Sequence, residues 1–157
     1  MHNKGNCNCS VCQELRKKAK HESQILKELD HKSKEFLVKY GYYVHYVPAT
    51  DEIDFCNCHT HGLPLMKRHL DFQIVLPIHQ NIAGHIIKNF VDRIDQGEQF
   101  EDGMEVNEII SNFPVRLIKA KEGNRDVLRI ILPDPKGRFP GDTDCDPFYD
   151  FQDKVFI

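Results

Sequence analysis

The string FCNCHTHGL, residues 55–63, places two thiols and two imidazoles within nine positions, and CNCSVC, residues 7–12, adds three more thiols. Thiolate sulfur and imidazole nitrogen are the donors of zinc-type sites, where four ligands surround the ion tetrahedrally with sulfur at about 2.3 Å. Alternate residues of a strand face the same side, so Cys56 and Cys58 project together while His59 and His61 project oppositely. A single ion therefore takes two thiolates from this strand and two from elsewhere. Cys9 and Cys12 supply them at C-x-x-C spacing, which gives a ligand set of Cys9, Cys12, Cys56 and Cys58, with Cys7 and His59 as alternates. Such an ion would clip a polar arm, residues 1–12, onto a domain spanning residues 13–157. The competing reading treats Cys56 and Cys58 as small buried hydrophobes, and a third assigns the cysteines redox or iron–sulfur chemistry.

His59, His61 and His69 form a second constellation. With Asp71 or Asp134 they are candidates for an open site, in which zinc lowers the pKa of bound water toward about 7 for hydrolysis. The competing role for strand and loop histidines is hydrogen-bonded packing. Cys145 lies among aspartates, whose charge raises a thiol's pKa and makes it a poor nucleophile. Asp142, Asp144, Asp146 and Asp153 have a calcium-loop rhythm, but Pro147 stands where the sharp turn of that loop requires glycine. The stretch DPKGRFPGD lacks the lysine–serine/threonine pair of a phosphate-binding loop.

Bulk properties narrow the classes. A chain of 157 residues suits one domain with a real core. A net charge of −3 gives no general pull toward nucleic acid or anionic membrane. There is no apolar run of membrane-spanning length, and the polar opening MHNKGNCNCS lacks a secretory signal. The expectation is a cytoplasmic protein with reduced cysteines.

Certain elements must hold these residues in place. Leu15, Ala19, Leu26, Leu29, Phe36, Leu37 and Tyr40 recur at helical steps over residues 13–40, and Gly41 supplies a stop. Mixed charges on the remaining faces read as a solvated surface, so nucleic acid is not the expected partner. Strands are predicted over 42–47, 53–60 and 70–77, the first two forming a hairpin. A helix follows over 79–96, with a stripe of Ile82, Ile86, Phe90 and Ile94 flanked by Ala83, Ile87 and Val91. Residues 105–111 are assigned a helical turn, and two strands joined at EGNR complete the regular structure. The proline- and aspartate-rich tail after Pro133 is expected to be extended and to bury Phe139, Phe148, Tyr149, Phe151 and Phe156. The fold class is α+β: a largely antiparallel sheet, two main helices and an irregular C-terminal tail.

From Tyr40 onward the chain resembles a bacterial family catalogued as domain of unknown function 4262. The family's threonine-x-glycine-leucine motif is matched by Thr60, His61, Gly62 and Leu63. Its histidine-proline-glutamate motif is matched by His69, Leu70 and Asp71, and its spaced glycines by Gly97 and Gly103. The ending is matched by Pro133, Asp134, Gly137, Arg138, Phe139, Pro140 and Gln152, with Gly141 in place of the usual tryptophan. The resemblance implies a shared α+β fold and carries no activity, while Cys7 to Cys12, Cys56 and Cys58 are additions to the family pattern. The expected function is a binding or regulatory module with a structural zinc-type site and an unidentified protein or small-molecule partner. The alternative is a metal-dependent hydrolase built on the histidine and aspartate cluster.

Overall fold

The computed structural model describes residues 31–157 together with Ser10, Gln13, Lys17 and Lys20, which are each helical. Cys7, Cys9 and Cys12 lie outside the described residues. The chain divides into two units, Met1–Tyr40 and Gly41–Ile157. In the first, helix α1 (His31–Tyr40) carries a stacked Phe36–Tyr40 pair one turn apart. Gly41, with φ 79°, follows at the left-handed position that commonly ends a helix.

The second unit is built on a sheet whose described strands run β1 (Tyr43–Val47), β2 (Asn57–His61), β3 (Asp71–Ile74), β6 (Arg125–Ile131), β5 (Val115–Glu122) and β4 (Glu105–Val106) in spatial order. All neighbours are antiparallel except β3 and β6. The α+β, largely antiparallel arrangement expected from the pattern is the one adopted. Gly62 (φ 105°) turns β2 into the short helix α2 (Leu63–Met66), which leads to β3. Glu122 pairs with Arg125 across a two-residue turn, where Gly123 takes the positive φ that such a tight hairpin demands at its first position.

Helix α3 (Gln80–Asp95) buries Ala83, Ile86, Ile87, Phe90 and Val91. These join Cys56, Cys58, Phe72, Ile74, Leu117, Leu128 and Ile130 in the main core. The buried face is rotated from the predicted stripe, because Ile82 is exposed. His79 caps the helix by accepting a hydrogen bond from the Asn81 N–H at 3.1 Å. No helix among the described residues is long and apolar enough to cross a membrane.

Two expectations need correction. Residues 107–111 are not helical: Arg93 donates to the Asn107 carbonyl at 2.8 Å and Asn89 to the Ile109 carbonyl at 3.2 Å. Side chains of α3 thus take up acceptors that a helical turn would use internally. The tail is neither wholly extended nor wholly buried. It contains helix α4 (Pro147–Asp150), capped by Asp146, and leaves Phe148 and Phe156 exposed. Phe139 is buried, and Tyr149 and Phe151 pack partly against the core.

The glycine of the tail motif has a steric role. Gly137 adopts φ +78°, and a Cβ there would lie 2.5 Å from the Phe113 ring. Gly137→Ala should destabilise the fold by about 1–3 kcal/mol, from left-handed strain and overpacking together. Chemical denaturation of the variant measures this, and an unchanged midpoint would show that the loop yields freely.

Candidate metal centre

Register determines which side chains meet. One row of paired residues crosses five strands: His45 opposite His59, His59 opposite Gln73, Gln73 beside Arg129, and Arg129 opposite Ile118. The adjacent row, Tyr46, Cys58 and Ile74, belongs to the core side. Strand alternation therefore puts the imidazole row on the face away from α3.

His45, His59 and His61 converge there, each offering a ring nitrogen within 4.8 Å of the others. The His59 ring lies edge-on to both neighbours, and Tyr43 stacks on His61 at 5.0 Å between centroids. Beside them, Glu122 Oε1 stands 3.7 Å from His59 Nε2. Ligand nitrogens around a tetrahedral zinc are about 3.3 Å apart, given Zn–N distances near 2.0–2.1 Å. Binding an ion would draw the three nitrogens together from within 4.8 Å to that spacing. Among the described residues, no other group of three or more histidines, cysteines and carboxylates meets this geometry.

Burial and the nearby Arg125 keep the His59 and His61 imidazoles unprotonated, while Glu122 supplies the negative charge beside them. Burial pushes His59 down to about 4, against Glu122, which pulls it up. Burial and the nearby Arg125 push His61 down to about 3. Both rings are neutral at pH 7, the form that ligates metal. Burial opposes ionisation of Glu122, but the Arg125 hydrogen bond at 2.6 Å leads the interactions that hold its pKa below the usual range.

The histidine triad differs from the predicted one. His69 is nearly buried, its Nε2 accepting from the Phe100 N–H at 3.1 Å and its Nδ1 facing the Leu70 carbonyl at 2.7 Å. Both ring nitrogens are thus engaged, and the ring packs on Phe72 and Phe100. Asp71 accepts from the Thr60 hydroxyl at 2.7 Å, the Leu63 N–H at 3.2 Å and Arg125 at 2.6 Å. Asp134 is committed to the tail, accepting from the Lys136, Arg138 and Asp146 backbone N–H groups and the Arg138 side chain.

The family described as domain of unknown function (DUF4262) matches residues 37–146. The chain belongs to it. No curated protein and no solved structure matches the chain.

Within this DUF4262 chain, the motif residues Thr60, Leu63 and Asp71 form one hydrogen-bonded knot around the turn at Gly62, closed by Arg125, which also donates to the Thr60 carbonyl at 2.9 Å. That carbonyl lies between His59 and His61, so the knot holds the backbone carrying both imidazoles. Cys56 and Cys58 are fully buried in the core. Cys56 Sγ donates to the Leu76 carbonyl at 3.0 Å. Burial, with the neighbouring Cys56, pushes the Cys58 thiol up to about 12, so without a metal it is protonated at neutral pH. Their N-terminal partners in the expected ligand set lie outside the described residues.

His45, Glu122 and Arg125 were absent from the sequence-derived site. His45 had one available signal, the aromatic alternation of YYVHYV, which puts it on one face of a hairpin facing the HTH string.

The depressed histidines make the fold acid-sensitive. Below pH 6.5 the unfolded chain binds protons that buried His59 and half-buried His61 refuse, so stability falls as pH drops toward about 4 and then about 3. Asp71 acts oppositely, because burial raises it from 3.8 to about 6 and protonation in that interval favours the folded state. With two histidines against one aspartate, the urea midpoint should fall between pH 6.5 and 4. Replacing His59 and His61 with glutamine should flatten the slope, and an identical slope in that variant would contradict the assignment.

Proposed function

We propose that this DUF4262 protein is a metal-binding module that holds one divalent, zinc-type ion on His45, His59 and His61. The observation that carries this reading is the convergence of three imidazole nitrogens within 4.8 Å on one rigid hairpin, two of the rings being held neutral by burial. Zinc-type ions favour imidazole donors, and a β-hairpin fixes cross-strand ligands with little ordering cost. The residues belong to a chain with free thiols at Cys56, Cys58 and Cys145, which suits a reducing, cytoplasmic setting.

A second reading is favoured by the donor count. Three protein nitrogens leave the fourth tetrahedral position to water or to Glu122. With water there, the centre belongs to the open class that supports hydrolysis. With Glu122 there, it is closed and structural.

Titration of metal-free protein with zinc should reveal about one equivalent bound per chain. His59→Ala should weaken binding at least about 100-fold, while Cys58→Ala should leave it unchanged. The cysteine clip makes the opposite forecast for the two variants. Loss of zinc in Cys58→Ala with retention in His59→Ala would replace the histidine site by the clip.

A further inference from the structure

A chain of obligate donors and acceptors runs through the sheet to His59. Arg129 is fully buried, and its guanidinium can only donate. Its Nε donates to Gln73 Oε1 at 2.8 Å, so the amide oxygen of Gln73 must face Arg129 and its Nε2 must point the other way. That Nε2 donates to Asn57 Oδ1 at 3.1 Å. At the other side of Asn57, Nδ2 faces Glu122 Oε1 at 3.5 Å, and an ionised carboxylate can only accept. The Asn57 amide is thus oriented from both ends, with Oδ1 turned inward. His59 Nδ1 lies 2.9 Å from that same oxygen and must therefore carry the proton.

We infer that Arg129, Gln73 and Asn57 are positioning residues that lock His59 as its Nδ1–H tautomer and present the Nε2 lone pair to the metal. The inference rests on the metal-binding reading for its consequence but not for its geometry. Metal-ligating histidines usually donate their second ring N–H to a carbonyl, carboxylate or water, which fixes the ring and raises its basicity. Here an asparagine carbonyl fills that place. The Nε2 atom it leaves unprotonated is the one facing Glu122 at 3.7 Å. The relay also ties the centre to the tail, because Arg129 donates through its second nitrogen to the Gln152 and Val155 carbonyls at 3.0 and 2.8 Å.

The test is nitrogen-15 NMR of the histidine rings in the full-length, metal-free protein, alongside zinc titration. Wild-type His59 should show a protonated Nδ1 and an unprotonated Nε2 at pH 7. Gln73→Leu leaves the Asn57 amide held only by the long 3.5 Å contact to Glu122, so His59 should become a mixture of tautomers and zinc affinity should fall about 10–100-fold. Adding Asn57→Asp to Gln73→Leu should restore the Nδ1–H form, since a carboxylate cannot turn a donor toward the ring. A wild-type His59 protonated on Nε2, or an unaltered tautomer in Gln73→Leu, overturns the inference. The wild-type spectrum decides the first point even if the variants fold poorly. Failure of wild-type protein to bind zinc, with His59 still in the Nδ1–H form, would overturn the metal reading while upholding the relay.

Discussion

Removing residues 134–157 should leave a chain that no longer unfolds cooperatively. The tail completes the sheet chemically as well as sterically. Gln152 donates to the Leu132 carbonyl at 2.7 Å and accepts from the Leu132 N–H at 3.0 Å, so one side chain satisfies both backbone groups of a buried residue. The Gln152 and Val155 carbonyls are partners of the buried Arg129, whose pKa burial already lowers. Losing them strands much of a charge inside the protein, which costs about 3–5 kcal/mol for a broken buried interaction of this kind. Deleting the Phe139 side chain from its buried seat under Arg116 adds about 3–5 kcal/mol. Together with the exposed backbone of Leu132, the loss reaches the whole stability of a typical domain, about 5–15 kcal/mol. Thermal denaturation followed by circular dichroism measures the outcome. A cooperative transition within a few degrees of the intact chain would show that the tail is a decoration.

Asp71→Ala should be the most damaging single replacement near the centre, at about 3–5 kcal/mol. It removes one acceptor from three buried or half-buried donors at once: the Thr60 hydroxyl, the Leu63 N–H and Arg125. The Thr60 hydroxyl has a second task, accepting from the Phe72 N–H at 2.9 Å, so its displacement loosens the β2–β3 junction as well. Asp71→Asn should cost less, because one amide oxygen still serves Thr60 and Leu63 while the Arg125 contact is lost. For a domain of this size about 4 kcal/mol lowers the melting temperature on the order of 10 °C. Arg125 also anchors Glu122, so both variants should weaken zinc binding beyond what stability alone explains. Equal melting temperatures for Asp71→Ala and the parent protein would refute the knot.

The regular elements were readable from sequence because their apolar periods were clean. Helix α3 and the β5–β6 hairpin fall within a few residues of expectation, since Gly97 and the EGNR turn punctuate them. The opposite facing of the cysteines and histidines on β2 was also legible, as it follows from the two-residue period alone. What each face meets was not. Cys56 and Cys58 could have looked toward an arm or a core, and they face the core. His45 joins His59 because the loop at 48–56, turned by reciprocal Thr50–Ile53 hydrogen bonds, fixes the register, and loop length sets register without leaving a pattern. His69 was lost to the site through a bond to the Phe100 N–H, a partner distant in sequence and invisible to spacing. Glu122 and Arg125 reach the centre from another hairpin by the same long-range route.

The most direct test of the histidine centre is X-ray absorption spectroscopy at the zinc edge on protein loaded with one equivalent of zinc. The account predicts a first shell made only of nitrogen and oxygen at about 2.0–2.1 Å, with the outer-shell scattering of three imidazoles. A shell containing two or more sulfurs at about 2.3 Å would place the ion on the cysteines and contradict it.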